Sequence, residues 1–90
     1  MEAKAKAEEM KKRLETVMVT GESYQGEVKV TANGNRKITD ILINESILRV
    51  REKQEIEQMI LTAVNNALEQ ADQVMAAEMK AIMPNIPGLG

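Results

Sequence analysis

The segment from residue 52 to residue 82 constrains the fold most, because it holds no glycine or proline and its apolar residues recur at helical spacing. It predicts a single helix of about thirty residues, roughly 45 Å long at 1.5 Å per residue. The strands that the rest of the chain can form are short, at about six to eight residues each. Part of the helix must therefore project beyond any sheet or pack against another helix.

The apolar side of this predicted helix consists of one continuous row and a set of residues that widen it. The row is formed by Ile60, Val64, Leu68, Ala71, Met75 and Met79. The residues that widen it are Ile56, Met59, Ala63, Ala67 and Val74. A sheet of short strands covers only part of such a surface, so the far half of the helix requires a partner.

The core must be built almost entirely from aliphatic side chains. The chain has 90 residues, no Phe or Trp, and Tyr24 as its one aromatic residue. A single domain of this size buries only about 60% of its unfolded surface, so its own core is thin. The same composition leaves no set of aromatic rings on which single-stranded bases could stack.

Enzymatic chemistry is not expected from these residue types. The chain has no Cys and no His, which excludes thiol nucleophiles, imidazole bases and the usual zinc sites. Glu55 and Glu57 do not form a catalytic pair, because residues two apart on a helix point in different directions. Gly21, Gly26 and Gly34 match no phosphate-binding loop. We therefore expect no enzyme, no cofactor, no metal and no small-molecule substrate.

The distribution of hydrophobic residues predicts a cytoplasmic protein. No apolar run approaches the ~20 residues needed to cross a bilayer, and the N-terminal segment lacks the apolar region of a secretion signal. We therefore expect no membrane association. The formal net charge is −2, so any attraction to nucleic acid must be local.

Residues 2–16 predict a first helix, since Ala, Lys, Glu, Met and Leu all favour that structure. Its apolar positions follow a narrow heptad stripe, which requires a neighbouring helix. The stripe consists of Ala3, Ala7, Met10, Leu14 and Val17.

Between residues 17 and 44 the apolar period falls towards two, which predicts a small antiparallel sheet of three strands. Residues 24–26 supply the first reversal, and Asn33-Gly34 predicts a two-residue type I′ turn. Residues 37–44 form the third strand, whose apolar side chains on both faces indicate that both faces are covered, one by a helix and the other by a second subunit. Asn44 and Ser46 can cap a short turn before the long helix.

The fold class that follows is α+β: a helix, a three-stranded antiparallel sheet and a long C-terminal helix. We expect one domain over residues 1–83 and a flexible tail over residues 84–90. Because a monomer would expose its apolar rows, we also expect self-association. The residues expected in the core or the subunit contact are Met10, Leu14, Val28, Val30, Ile41, Ile43, Ile60, Val64 and Leu68.

The sharpest electrostatic feature is the basic run from Lys11 to Arg13, with Lys4 and Lys6 upstream on the same helix. Phosphate binding is one interpretation. The other is a solvated surface, because each of these bases has a carboxylate four residues away, as in Glu8–Lys12 and Glu9–Arg13. The residues alone favour the solvated surface.

Four further bases lie near turns: Arg36, Lys37, Arg49 and Arg51. They can add phosphate contacts, but sheet edges also carry such charges to discourage aggregation, and the residues alone favour that explanation. The methionines can form an adaptable binding surface, but in a chain without Phe they are more typical of core filling.

Five short segments form a recognisable set: VTGES at 19–23, GxVKVT at 26–31, NG at 33–34, IxINESIL at 41–48 and AVNNA at 63–67. They resemble the YbaB/EbfC family of bacterial nucleoid-associated, DNA-binding proteins. The basic amphipathic start and the PGLG ending at 87–90 are also similar. The resemblance covers essentially the whole chain.

This resemblance implies a homodimer whose helices project from a central β region. It also implies binding of double-stranded DNA with weak or little sequence preference and a role in organising the nucleoid. Carried onto this chain, the family's DNA contacts are Lys4, Lys6, Lys11, Lys12, Arg13 and Lys80. The alternative function is a dimeric protein-interaction module without DNA binding, which the net acidity and the methionine and alanine rows would suit.

Overall fold

The fold is that of a computed structural model, which describes the backbone of residues 2–82 and the side chains of residues 7–23 and 25–81. The predicted α+β order is confirmed, and the tail predicted for residues 84–90 lies outside the described residues. The elements are helix α1 (Glu2–Thr16), strand β1 (Met18–Ser23), a 3-10 turn (Tyr24–Gly26), strand β2 (Val28–Asn33), strand β3 (Ile38–Ile43), helix α2 (Ile47–Val50) and helix α3 (Lys53–Ile82).

The three strands form an antiparallel sheet in the order β1-β2-β3. Because successive side chains in a strand alternate between faces, Val28, Val30 and Ala32 of β2 all point to the same side, where they are fully buried. Lys29, between them, is exposed. The predicted division of this strand into an apolar and a polar face is confirmed.

Helix α3 packs on the apolar face of β1 and β2 through a row of small side chains. Ala63 and Ala67 are fully buried there, directly above Gly21 of β1. A Cβ atom at Gly21 would collide with the backbone nitrogen of Ala67 and the carbonyl oxygen of Ala63. Helix and strand backbones therefore approach more closely than two ordinary side chains would permit.

The buried row of α3 differs from the row that the sequence predicted. It is Met59, Ala63, Ala67 and Ala71, whereas Ile60, Val64 and Leu68 are only half-buried. The reason is the close approach at Gly21, because only small side chains fit between the two backbones. The larger residues are displaced to the flank, where Ile60 and Val64 pack against the edge of the core with Ile38 and Ile43.

The predicted core and contact residues divide into three groups. Leu14, Val28 and Val30 are fully buried, whereas Ile41 is 46% exposed and so is not part of the core of the single chain. The cause is that α3 lies over β1 and β2, so the centre of β3 is left open. The half-buried group is Met10, Ile43, Ile60, Val64 and Leu68.

The turn between β2 and β3 is not the predicted two-residue type I′ turn at Asn33-Gly34. Arg36, and not Gly34, has a positive φ of 67°. The Asn33 amide donates to the Lys37 carbonyl at 2.9 Å, which closes a three-residue loop with a left-handed residue at its end. The side chain of Asn33 favours this longer loop, because its Oδ1 accepts from the amides of Asn35 (2.9 Å) and Lys37 (3.2 Å).

The other two connections follow the prediction in part. The reversal at residues 24–26 is confirmed, with positive φ values of 57° at Gln25 and 79° at Gly26. Asn44 organises the turn before α2, since its Oδ1 accepts from the Ser46 amide and hydroxyl, each at 3.0 Å. Ser46 itself makes no side-chain capping bond to α2, so that part of the prediction is wrong.

The chain is elongated, as the long helix predicts. Its extents are 55 × 24 × 17 Å and its radius of gyration is 16.9 Å, compared with about 12 Å for a compact domain of this length. The alanine row packs on the sheet in the middle of α3, so the outer half of the helix extends beyond it. None of the helices within residues 2–82 is both long and apolar enough to span a membrane.

Candidate nucleic-acid interface

The last turns of α1 pack against the loop between β2 and β3. The Asn35 side-chain amide donates to the Lys11 carbonyl at 2.9 Å, and the Gly34 amide donates to the Leu14 carbonyl at 2.8 Å. Leu14 is fully buried. A Cβ atom at Gly34 would lie 2.7 Å from Leu14 Cδ2, so the loop packs closely on this side chain. These contacts hold the end of α1 against the loop.

Two basic segments that are distant in the sequence become neighbours through this packing. Residues 11–13 (Lys-Lys-Arg) end α1, and residues 36–37 (Arg-Lys) end the loop that contacts it. All five side chains are exposed. We refer to these five residues, Lys11, Lys12, Arg13, Arg36 and Lys37, as the basic surface.

Two bases of this surface form ion pairs with the outer half of α3. Arg13 Nη2 donates to Glu78 Oε2 at 3.2 Å, and Arg36 Nη1 lies 3.3 Å from Asp72 Oδ1. Among the side chains described for residues 7–16, no i,i+4 ion pair forms within α1. The predicted self-paired surface is therefore absent over that part of α1, where Arg13 pairs with a different helix.

The remaining predicted contact residues are Lys4, Lys6 and Lys80. The side chains of Lys4 and Lys6 lie outside the described residues, and Lys80 is not brought to the basic surface. Lys80 is exposed near the end of α3, two residues after Glu78. Residues two apart on a helix point about 200° apart, so Lys80 faces away from the side that meets Arg13.

Sequence reasoning underrated Arg36 and Lys37, because it favoured protection of a sheet edge over phosphate contact for them. The signal that could have identified them is Gly34 together with Leu14. A buried leucine at the end of a basic helix and a glycine in a basic turn are what a close helix–loop contact requires. The sequence does not reveal that these two segments touch, because they lie on different elements.

Arg51 is held at a different site, beside the end of β1 and the start of α3. Its guanidinium lies 3.7 Å from Glu27 Oε2 and 3.4 Å from Glu55 Oε2. These carboxylates neutralise its charge, which supports a structural role. The adjoining cleft, of about 470 Å³, is bordered by Ser23, Arg51 and side chains of α3 from Gln54 to Thr62.

An apolar surface lies where α3 leaves the centre of β3 uncovered. Ile41 pairs with Val30 and so points to the same face of the sheet as the core, yet it is 46% exposed. Ile60 and Val64 of α3 are half-buried and pack against the same core, and Leu61, next to Ile60 in the sequence, is 52% exposed. We refer to Ile41, Ile60, Leu61 and Val64 as the apolar face.

The described side chains offer no alternative site for metal chemistry. Among residues 7–23 and 25–81, no three carboxylate side chains converge to hold a metal ion. The carboxylates that make close contacts in this part of the chain are paired with arginine or lysine side chains.

Comparison with known proteins identifies similar chains. The sequence matches the model of the YbaB/EbfC DNA-binding family over residues 1–86. A nucleoid-associated protein of Flavobacterium johnsoniae is 36% identical over 92 residues, covering 98% of this chain and 85% of that protein. A nucleoid-associated protein of Caldanaerobacter subterraneus is 39% identical over 93 residues, covering 98% of this chain and 84% of that protein.

A solved structure shares the fold. The crystal structure of an uncharacterized Helicobacter pylori protein matches with a TM-score of 0.75 at 18% sequence identity. The match covers 90% of this chain and 94% of that one. The arrangement of α1, the sheet and α3 is therefore found in a chain of quite different sequence.

Proposed function

Because this chain belongs to the YbaB/EbfC DNA-binding family, we propose that it is a nucleoid-associated protein of the bacterial cytoplasm. It binds double-stranded DNA as a homodimer, with little sequence preference, and contributes to nucleoid organisation or gene regulation. The observation that carries the proposal is the contact of the β2–β3 loop with α1, through Asn35 and Lys11 at 2.9 Å. This contact joins two basic segments into one surface.

The chemistry of the basic surface suits phosphate groups better than base edges. Lysine and arginine side chains neutralise phosphates and release counterions, which gives affinity without sequence information. The five cations are exposed on the end of a helix and on a short loop. Nothing in this arrangement presents a row of side chains to the floor of a major groove, so we expect weak discrimination between sequences.

A duplex is the expected form of nucleic acid. Proteins that bind single strands combine a basic groove with aromatic side chains on which bases stack. This chain has one aromatic residue, Tyr24, in the turn between β1 and β2. The binding energy must then come from phosphates, and a duplex presents one phosphate charge for about every 1.7 Å of its length.

The apolar face supports the homodimer. Ile41 and Leu61, each about half exposed, are costly to leave in water because buried apolar surface contributes roughly 25 cal/mol per Å². A second copy of the chain offers the same side chains and can cover them. A dimer also carries two basic surfaces. Because the net charge of the chain is −2, attraction to DNA must come from such local surfaces.

Charge reversal tests the proposed DNA contact. We expect the double variant Lys11→Glu/Lys12→Glu to lower the affinity for a labelled duplex at least tenfold, measured by fluorescence anisotropy at low salt. The matched control is Arg49→Glu/Lys53→Glu, which changes the same charge at the opposite end of the sheet and of α3. Equal loss in both variants would show that net charge, and not the basic surface, governs binding.

A protein-interaction module is the second candidate. Leu48 and Val50 on α2 are 58% and 77% exposed, and they lie beyond β3, at the end of the sheet away from the basic surface. Such side chains suit a protein partner. Complete absence of duplex binding at low salt would favour this second function over DNA binding.

A further inference from the structure

We propose that Asp72 and Glu78 of α3 compete with DNA phosphates for Arg36 and Arg13, and so limit the affinity of the basic surface. This inference rests on the proposed DNA binding. It assigns to the long helix a function other than contact with DNA, since its carboxylates hold two of the five cations in the absence of a duplex.

The ion pairs place both carboxylates directly on the proposed phosphate contacts. Glu78 Oε2 lies 3.2 Å from Arg13 Nη2, and Asp72 Oδ1 lies 3.3 Å from Arg36 Nη1. A guanidinium presents its N–H groups in one plane, and carboxylates and phosphates use the same donors. A phosphate that takes the donors at Arg13 Nη2 or Arg36 Nη1 therefore displaces the carboxylate from that nitrogen.

The two pairs are exposed, so they are weak. The side chains of Arg13 and Glu78 are 55% and 31% exposed, and those of Arg36 and Asp72 are 51% and 50% exposed. Exposed ion pairs contribute little to the stability of a fold, because water and salt screen them. A duplex, with its dense line of phosphates, can therefore displace these carboxylates.

The expected effect on DNA affinity follows from the strength of the pair. Releasing an exposed ion pair costs about 0.2–1 kcal/mol, which corresponds to a roughly 1.4- to 5-fold loss of affinity per pair. This cost falls as salt increases, since the Debye length falls to about 3 Å at 1 M.

Neutralising the competitor tests the inference. We expect Glu78→Gln to raise the affinity for a labelled duplex by about two- to fivefold at low salt, and Asp72→Asn to act in the same direction. The matched control is Glu69→Gln, on the same helix, whose carboxylate pairs with none of the side chains described. A gain in Glu78→Gln no larger than in this control would overturn the inference.

A double variant identifies Arg13 as the residue through which Glu78 acts. In a protein already carrying Arg13→Gln, the Glu78→Gln change should give no more than the gain seen with Glu69→Gln. A full gain in that background would contradict the inference and show that Glu78 repels DNA directly.

The outcome for the wild type separates this inference from the proposed function. Suppose that the wild type binds duplex, that Arg13→Gln lowers its affinity, and that Glu78→Gln raises the affinity no more than Glu69→Gln does. The inference then fails, while the proposed DNA binding stands. If neither the wild type nor Glu78→Gln binds duplex at low salt, both fail.

Discussion

At Gly21 a single missing side chain decides how closely the long helix approaches the sheet. The residue lies under Ala63 and Ala67, with backbone atoms of α3 in the space that a Cβ atom would occupy. The strand has no side chain to pack at this position. Because of that, a helix whose facing residues are alanines can lie close over β1 and β2.

We therefore expect Gly21→Ala to destabilise the protein by about 3 kcal/mol or to prevent folding, since overpacking against a rigid backbone costs about 1–3 kcal/mol and occasionally more. Urea denaturation followed by circular dichroism measures this change. Gly34→Ala is the comparison, because its new methyl group would first meet the Leu14 side chain, which can move. A smaller loss at Gly21 than at Gly34 would contradict the proposed packing.

Some residue-level features follow from the sequence and others do not. The alternation of valine and polar residues in 28–32 predicts which side chains are buried, because a strand has a strict period of two. The turn at Asn33-Gly34 could not be predicted correctly, because the prediction used only the backbone conformations that these two residues prefer. The actual loop is set by the Asn33 side chain and by the contact of Gly34 with Leu14, and local sequence preference does not include that distant contact.

At the scale of elements, α1 depends on few contacts for its position. Leu14 is fully buried, Met10 is half-buried and Ala7 is exposed, so support is greatest at the end of the helix near the sheet. The Gly34 backbone amide and the Asn35 side-chain amide donate hydrogen bonds to carbonyls at the same end. The basic surface is therefore assembled by the buried Leu14 side chain and a small number of hydrogen bonds from the loop to the backbone of α1.

Leu14→Ala should detach α1 while leaving the sheet and α3 folded. Truncating a buried leucine to alanine lowers stability by about 2–5 kcal/mol. We expect this loss to exceed what the remaining contacts of α1 contribute. Hydrogen exchange should become fast in residues 8–16 and remain slow in β2. Met10→Ala is the control, and it should have a smaller effect because Met10 is only half-buried. Uniform loss of protection across the whole chain would contradict this account.

The helical period predicts that residues 52–82 form a helix, but not which row of that helix faces the sheet. Both Ile60-Val64-Leu68 and Met59-Ala63-Ala67 recur at the required spacing. Hydrophobicity favours the first row, whereas the structure buries the second. The choice depends on the glycine in the facing strand, which is tertiary information.

At the scale of the whole molecule, the apolar face and the basic surface lie on different parts of one elongated chain. The apolar face includes the open centre of β3, and the basic surface lies at the α1 and loop end of the sheet. A dimer can therefore form through the first without covering the second. The sequence indicated the need for a partner through its excess of apolar residues, but it gave no geometry for the contact.

Ile41→Lys should convert the dimer into a monomer, because it places a charge at the centre of the apolar face. The change costs the isolated chain little, since Ile41 is already 46% exposed. Light scattering coupled to size-exclusion chromatography measures the mass. Leu42→Lys is the comparison, because Leu42 pairs with exposed Lys29 and points to the opposite face, where the sequence predicted the second subunit. Loss of the dimer in Leu42→Lys alone would place the contact on that face. A dimeric Ile41→Lys protein, or a wild type that is monomeric, would contradict the proposed contact.

The salt dependence of duplex binding tests the central claim most directly, because each phosphate contact contributes about 0.9 to the slope of log affinity against log salt. For Lys11→Gln/Lys12→Gln the account predicts a slope shallower than that of the wild type by about one unit per contact removed. For Arg49→Gln/Lys53→Gln it predicts the wild-type slope. Identical slopes for the wild type and both variants would contradict the assignment of DNA binding to the basic surface.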